Sequence, residues 1–326
     1  MKRRLLAMFL TCAMLIGCTA CSSTEESASN SGAQTVDDGT TKIAFITKSM
    51  SDQFFIDAKE AAEAYAEELG IELTYLAPEG GQSDIEGEVQ ILEDSIIQGV
   101  DAIILDPSDT AAFNTSIKKA NDTGIPVILF NDEVDTEDLE SIGGHIDCYV
   151  GLNSVEAAGM VADYCIENSE PGKVAILEGV SGNTSSIDRV NGFKDVVEAA
   201  GFEVVASQPG NWDKNEAYNV TQNILTANPD ISVIWACSSL MGMGAIQAIE
   251  DLGMTGQIDV YDFDCEADDI AAIKAGTLCA TLRYPTAEWA ELAVDTAMSL
   301  IDGEDVPEEV FTEVMVVTPE NVDTLG

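Results

Sequence analysis

From Lys42 onward, short runs of aliphatic and β-branched residues alternate with longer stretches whose apolar positions recur every three or four residues. KIAFIT (42–47) predicts a strand, and FFIDAKEAAEAYAEELG (54–70) a helix with Phe55, Ala58, Ala62, Tyr65 and Leu69 on one face. ELTYLA predicts a second strand, and DIEGEVQILEDSIIQG a helix striped by Val89, Leu92, Ile96 and Ile97. DAIILD is a third strand, TAAFNTSIKKANDTG a helix, and IPVILF a fourth strand. Strands apolar on both faces and separated by helices belong to a parallel sheet covered on each side.

The pattern then restarts. KVAILEG, a helix from Ile187 to Ala200, FEVVAS, a helix from Asn215 to Ala227, SVIWA, a helix from Met241 to Leu252, and IDVYDF form a second series. KIAFIT–loop–helix–G–IELTYL matches KVAILE–loop–helix–G–FEVVAS in kind, so the chain predicts an α/β protein of two similar doubly wound domains. A tail follows: the strand TLCATLRY, the amphipathic helix PTAEWAELAVDTAMSLIDG and a last strand, EVMVVT. Trp235 and Trp289 read as core.

The N-terminus carries no such alternation. Lys2, Arg3 and Arg4 precede an apolar stretch, Leu5 to Gly17, too short to span a bilayer. Leu15-Ile16-Gly17-Cys18 resembles a bacterial lipoprotein box, with Cys18 as the lipidated thiol and Cys21 as a second candidate. Leu15, three positions upstream, favours Cys18. Residues 18–41 are almost devoid of apolar content and read as a lipidated tether after a signal peptide over 1–17. The expected location is extracytoplasmic, anchored to the cell membrane rather than embedded in it.

Composition narrows the partners. The chain has 59 acidic and 14 basic residues, a net charge of −45; losing Lys2, Arg3 and Arg4 with residues 1–17 would make it −48. Such a field repels nucleic acid and anionic headgroups. His145 is the single histidine, and Cys148, Cys165, Cys237, Cys265 and Cys279 have long spacings without a CxxC. Neither a metal site nor a disulfide framework is predicted, nor a cofactor; buried free thiols are expected, with a Cys237–Cys265 contact as the exception.

Positive charge is scarce enough to be informative. Beyond the signal segment the arginines are Arg189 and Arg283; Arg189 lies in GVSGNTSSIDRVNGF and Lys48 in IAFITKSMSDQFF, matching strand-to-helix loops of the two halves. Ligands of open α/β sheets bind beyond the carboxyl ends of the strands. There stand Lys48, Asp52, Phe54 and Phe55, then Asn131 and Asp132, then Asp188 and Arg189, then Asn211 and Trp212, then Ser238 and Ser239, then Asp264. Carboxylates, amides, hydroxyls and aromatic faces together suit a small polyhydroxyl ligand.

KIAFITKSMSDQFF, GVDAIILDPSDTAAFNTSIKKANDTGIPVILFN, SSIDRVNGF, SQPGNWD and VYDFD, in this order, resemble the periplasmic sugar-binding proteins of the ribose/galactose type, the substrate-binding components of ABC importers. The resemblance covers nearly all of residues 42–318. It implies two Rossmann-like domains joined by a three-strand hinge, with crossings near Leu152, Tyr284 and Glu313. Residues 42–152 plus 285–312 would form the first domain and 153–284 plus 313–326 the second. It also implies a monomer that delivers its sugar to a membrane permease and performs no catalysis. Carried over residue by residue, Phe54, Phe55 and Trp212 match the family's aromatics, and Arg189 and Asp264 the pair that bonds sugar hydroxyls. Phe263 would pack under the ligand or within the strand-end core.

Departures are equally specific. Asn131-Asp132 replaces the ribose-type Asp-Arg, Ser238 an asparagine, Tyr284 a glutamine or asparagine, and Lys48 a small polar residue. They count against ribose itself. A lysine also occurs at this loop in receptors for furanosyl autoinducers, which with a ligand-presenting sensor forms the alternative reading; an ion pair of Lys48 with Asp52 or Asp132, and a surface lysine, are the other accounts of that residue. Asp188 with Asp264 would be the carboxyl pair of a remote glycosidase alternative.

Overall fold

The structure is a computed structural model describing residues 39–325. Cys18, the signal segment and nearly all of the tether lie outside the described residues. Among the described residues no helix is long and apolar enough to cross a membrane.

The chain runs β1 (Lys42–Ile46), α1 (Gln53–Leu69), β2 (Glu72–Leu76), α2 (Ile85–Gln98), β3 (Ala102–Leu105), α3 (Asn114–Thr123), β4 (Val127–Phe130), α4 (Thr136–Ser141) and β5 (Cys148–Gly151). It continues with α5 (Ser154–Asn168), β6 (Lys173–Glu178), α6 (Thr184–Ala199), β7 (Glu203–Pro209), α7 (Lys214–Ala227), β8 (Ile231–Ala236), α8 (Ser239–Asp251), β9 (Asp259–Tyr261) and α9 (Ala267–Ala275). The tail is β10 (Thr281–Arg283), α10 (Thr286–Ile301), β11 (Glu309–Phe311) and β12 (Met315–Val317). Two sheets result: β11-β5-β4-β3-β1-β2 and β7-β6-β8-β9. Every pairing within them is parallel, whereas β10 and β12 pair antiparallel.

Every residue of β3 and β4 is buried, as helices on both faces require. α1 starts where the Asp52 carboxylate accepts the Phe54 amide, and ends at Gly70 in the left-handed region (φ 71°). It buries Phe54, Phe55, Ala58, Ala62 and Ala66. In the second half α5 lies against α6 closely enough that a Cβ on Gly192 would stand 2.2 Å from the Val155 carbonyl oxygen. α10 packs on α1 and on β3, β4 and β5, and Tyr65 donates to Asp295 at 2.6 Å across the helix pair.

Several expected details change. Leu69 is 42% exposed because it sits on the terminal turn, and Ile97 is 81% exposed. Ile97 lies about 140° around α2 from Leu92, so it cannot share the stripe, which Glu88 and Ser95 complete instead. The last strand becomes two, β11 beside β5 and β12 beside β10. Helices α4, α5 and α9 and strand β5 were absent from the periodicity reading. Trp235 and Trp289 are fully buried.

Leu92→Ala is expected to destabilise the protein by about 2–5 kcal/mol, while Ile97→Ala leaves it within about 0.5 kcal/mol. Urea unfolding with comparable losses at both positions would overturn this placement of α2.

Candidate functional site

Because each sheet is parallel, its strands end on one edge, and residues beyond the two edges line a common cavity. The first sheet's loops and the start of α1 supply Lys48, Asp52, Phe54, Phe55, Gln82, Asn131 and Asp132; the second sheet's loops and the first turns of α6 supply Ser185, Arg189, Trp212, Ser238 and Asp264. Tyr284, after β10, completes the lining.

Lys48 does not reach into the cavity as a free cation. Its ammonium pairs with Asp106 at 3.0 Å and with the Asp132 carboxylate, and the side chain is 4% exposed. Asn131 donates to the same Asp132 oxygen at 3.1 Å, and the other oxygen accepts the Ser185 amide at 2.6 Å. Asp132 therefore joins a first-sheet loop to the N-terminus of α6. Thr110 and Gly182 (3.1 Å) and the Thr184 hydroxyl with the Glu133 carbonyl extend that seam. Burial pushes the Asp106 carboxyl up, with the Lys48 charge opposing.

Arg189 faces the cavity from α6. Its Nη1 donates to the Cys237 carbonyl at 2.9 Å and to Asp264 at 3.1 Å, and its guanidinium carbon lies 3.9 Å from the Phe263 ring centroid. Asp264 also accepts the Tyr284 hydroxyl at 2.8 Å and the Ser239 amide at 3.0 Å. Asn131 (φ 61°), Trp212 (φ 59°) and Asp264 (φ 98°) all line the cavity with left-handed backbone, unusual for residues bearing a side chain and concentrated here. Trp212 lies over Gly179, where a Cβ would stand 1.9 Å from its Cζ2.

Eleven of the twelve expected ligand residues thus share one cavity wall. Phe263 does not; it is fully buried and supports the Arg189 guanidinium from beneath. Asp188 is also absent from the lining and sits near Glu133, so no Asp188–Asp264 carboxyl pair flanks the cavity. The expected Lys48–Asp132 pair forms. Asp52 instead accepts from the Phe54 amide and Gln82. Gln82, Ser185 and Asp106 were not anticipated, although Asp106 ends the third predicted strand and Gln82 follows the second. The five cysteines among the described residues are free thiols. No group of metal-ligating side chains occurs among the described residues.

The sequence model of the periplasmic binding protein domain matches residues 43–305. The D-ribose/D-allose-binding protein of Pseudomonas aeruginosa is 31% identical over 284 residues, 85% of this chain and 88% of its own. The ribose import binding protein of Escherichia coli is 30% identical over 265 residues, 81% of this chain and 86% of its own. An ABC transporter periplasmic solute binding protein from Actinobacillus succinogenes, solved with bound D-allose, has a TM-score of 0.81 at 31% identity. The match covers 87% of this chain and all of that one.

Several carboxyls hold their protons to higher pH than usual because they are buried. Burial pushes Glu88 up to about 8, Asp269 to about 7 and Asp52 to about 6. In the unfolded chain they ionise near their ordinary values of about 4. Over the interval between, the native state binds more protons, so stability falls as pH rises. The melting temperature is expected to decline from about pH 5.5 to about pH 8.5, with Glu88→Gln flattening the slope. A profile that rises with pH would contradict these assignments.

Proposed function

The chain belongs to the periplasmic binding protein family, and we propose that it is the substrate-binding component of an ABC importer, capturing a monosaccharide or related polyol between its two sheets. The observation that carries this reading is the cavity in which Arg189 and Asp264 stand beside the aromatic faces of Phe54 and Trp212. A guanidinium–carboxylate pair offers hydroxyl groups both donors and an acceptor, while the rings cover the C–H faces of a sugar.

On this reading residues 42–152 plus 285–312 form one lobe and 153–284 plus 313–326 the other. Sheet membership supports the division: β11 lies beside β5, and α10 packs on α1. The lobes close around the ligand by rotation, and ligand bound better by the closed form shifts the population toward it. The seam formed by Thr110, Asp132, Glu133, Gly182, Thr184 and Ser185 is the contact that such closure makes. The closed protein, a monomer tethered through Cys18 outside the cytoplasm, then docks on a membrane permease. No catalytic step is invoked. The glycosidase alternative paired Asp188 with Asp264, and Asp188 is not on the wall. The autoinducer reading leaned on Lys48, whose charge is engaged by two carboxylates.

A thermal-shift screen with D-ribose, D-allose, other pentoses and hexoses, and polyols tests the proposal. A ligand at 100 times its dissociation constant adds about 2.7 kcal/mol of stability. Losing one charged hydrogen bond in Arg189→Ala should remove about 1.5–3 kcal/mol of binding. Gly179→Ala, which displaces Trp212, is expected to weaken the same ligand. Absence of any shift, or a shift indifferent to Arg189, would reject capture at this cavity.

A further inference from the structure

The charges around the cavity do not balance. Lys48 is answered twice, by Asp106 and Asp132, and Arg189 is answered by Asp264. That leaves Asp52, whose oxygens accept only from the Phe54 amide at 3.1 Å and the Gln82 amide at 3.3 Å. No cationic side chain among the described residues pairs with it within 4.0 Å, and Asp264 is the charge that raises its energy most. The imbalance continues outward. An opening beside the cavity is lined by Asp52, Asp264, Glu266 and Asp268, with Lys214 as its one cation.

A neutral sugar would leave that excess negative charge enclosed. A ligand with its own positive charge would cancel it, and its nitrogen would find aromatic faces in Phe54 and Trp212. The acidic opening would also concentrate a cation at the mouth of the cleft.

We propose that the ligand of this cavity is an amino sugar or aminopolyol, whose ammonium group sits between Asp52 and Asp264 while its hydroxyls bond Arg189, Asn131 and Tyr284. The proposal rests on the capture reading above and narrows its substrate class. Asp52 is the positioning charge, and its neighbours define how pH acts. It faces Asp264 and Arg189 across the cavity, Gln82 beside it, and Glu266 and Lys214 at the opening. Burial and Asp264 hold the Asp52 carboxyl up to about 6. An entering ammonium favours the carboxylate, so below that pH binding must displace a proton. Affinity for an amine therefore rises from about pH 5 to about pH 7, where an α-amino-like group is still largely protonated. A neutral hydroxyl also donates better to the carboxylate, but it gains less from ionising Asp52 than an ammonium does.

The test is titration calorimetry on the full chain with matched sets: D-ribose, D-allose, D-galactose and myo-inositol, each beside its amino-deoxy and N-acetylamino counterparts. At least one amine is expected to bind about tenfold or more tighter than its hydroxyl parent at pH 7. N-acetylation should abolish the advantage, and acidification to about pH 5 should shrink it. Asp52→Asn, which keeps a good cap for α1, should collapse the ratio of amine to parent affinity. A parent that binds as tightly as its amine, or a ratio unmoved by pH and by Asp52→Asn, overturns the amine assignment while sugar capture stands. Failure of every member of every set overturns both.

Discussion

A parallel sheet covered on both faces leaves its strands one place for polar chemistry, the loops beyond their carboxyl ends. β3 and β4 are buried along their whole length, so the polar groups that follow them, Asp106, Asn131 and Asp132, meet at a single edge. The second sheet does the same with Arg189, Ser238 and Asp264. When two such edges face each other, charges come together where water is scarce, and an unpaired charge there is costly. The pairing of Lys48 with Asp106 and Asp132, and of Arg189 with Asp264, answers that constraint.

The two cations then divide the work. Lys48 is consumed within the first sheet's edge, and by holding Asp132 it fixes the acceptor that receives the Ser185 amide from across the cavity. Arg189 is held differently: one nitrogen serves Cys237 and Asp264, while buried Nε has no hydrogen-bond partner among the described residues. Phe263 beneath it sets the plane of the guanidinium. One cation organises the seam between the sheets; the other faces the cavity.

The sequence made the β-α alternation legible because buried strands and amphipathic helices have different periods, and strand ends located most of the cavity. What it left obscure depends on rotation and pairing. Asp188 and Arg189 are adjacent, yet a helix turns about 100° per residue, so one enters the cavity and the other meets Glu133. Phe263 and Asp264 diverge at a strand end, one under the guanidinium and one beside it. Lys48 looked like a ligand group because Asp106, its closest unexpected partner, lies on a different strand. Three-residue strands such as β11 are too short to carry a period at all.

The acidity of the second sheet's edge gives the cleft its bias. Asp262 and Asp269 lie behind Asp264, and Glu266 beside it; burial and mutual repulsion push all three of these neighbours up. Their charge therefore develops only as pH rises, while at this edge Asp264 is paired with Arg189. Under the amine assignment, a ligand that brings positive charge would answer Asp52, whereas a neutral one would leave it without a cation. The closed state is stabilised more by the first, because it gains attraction without adding an unpaired charge to a water-poor space. On the amine assignment, selectivity at this site would follow from what the fold leaves unbalanced at Asp52 as much as from the shape of the aromatic walls.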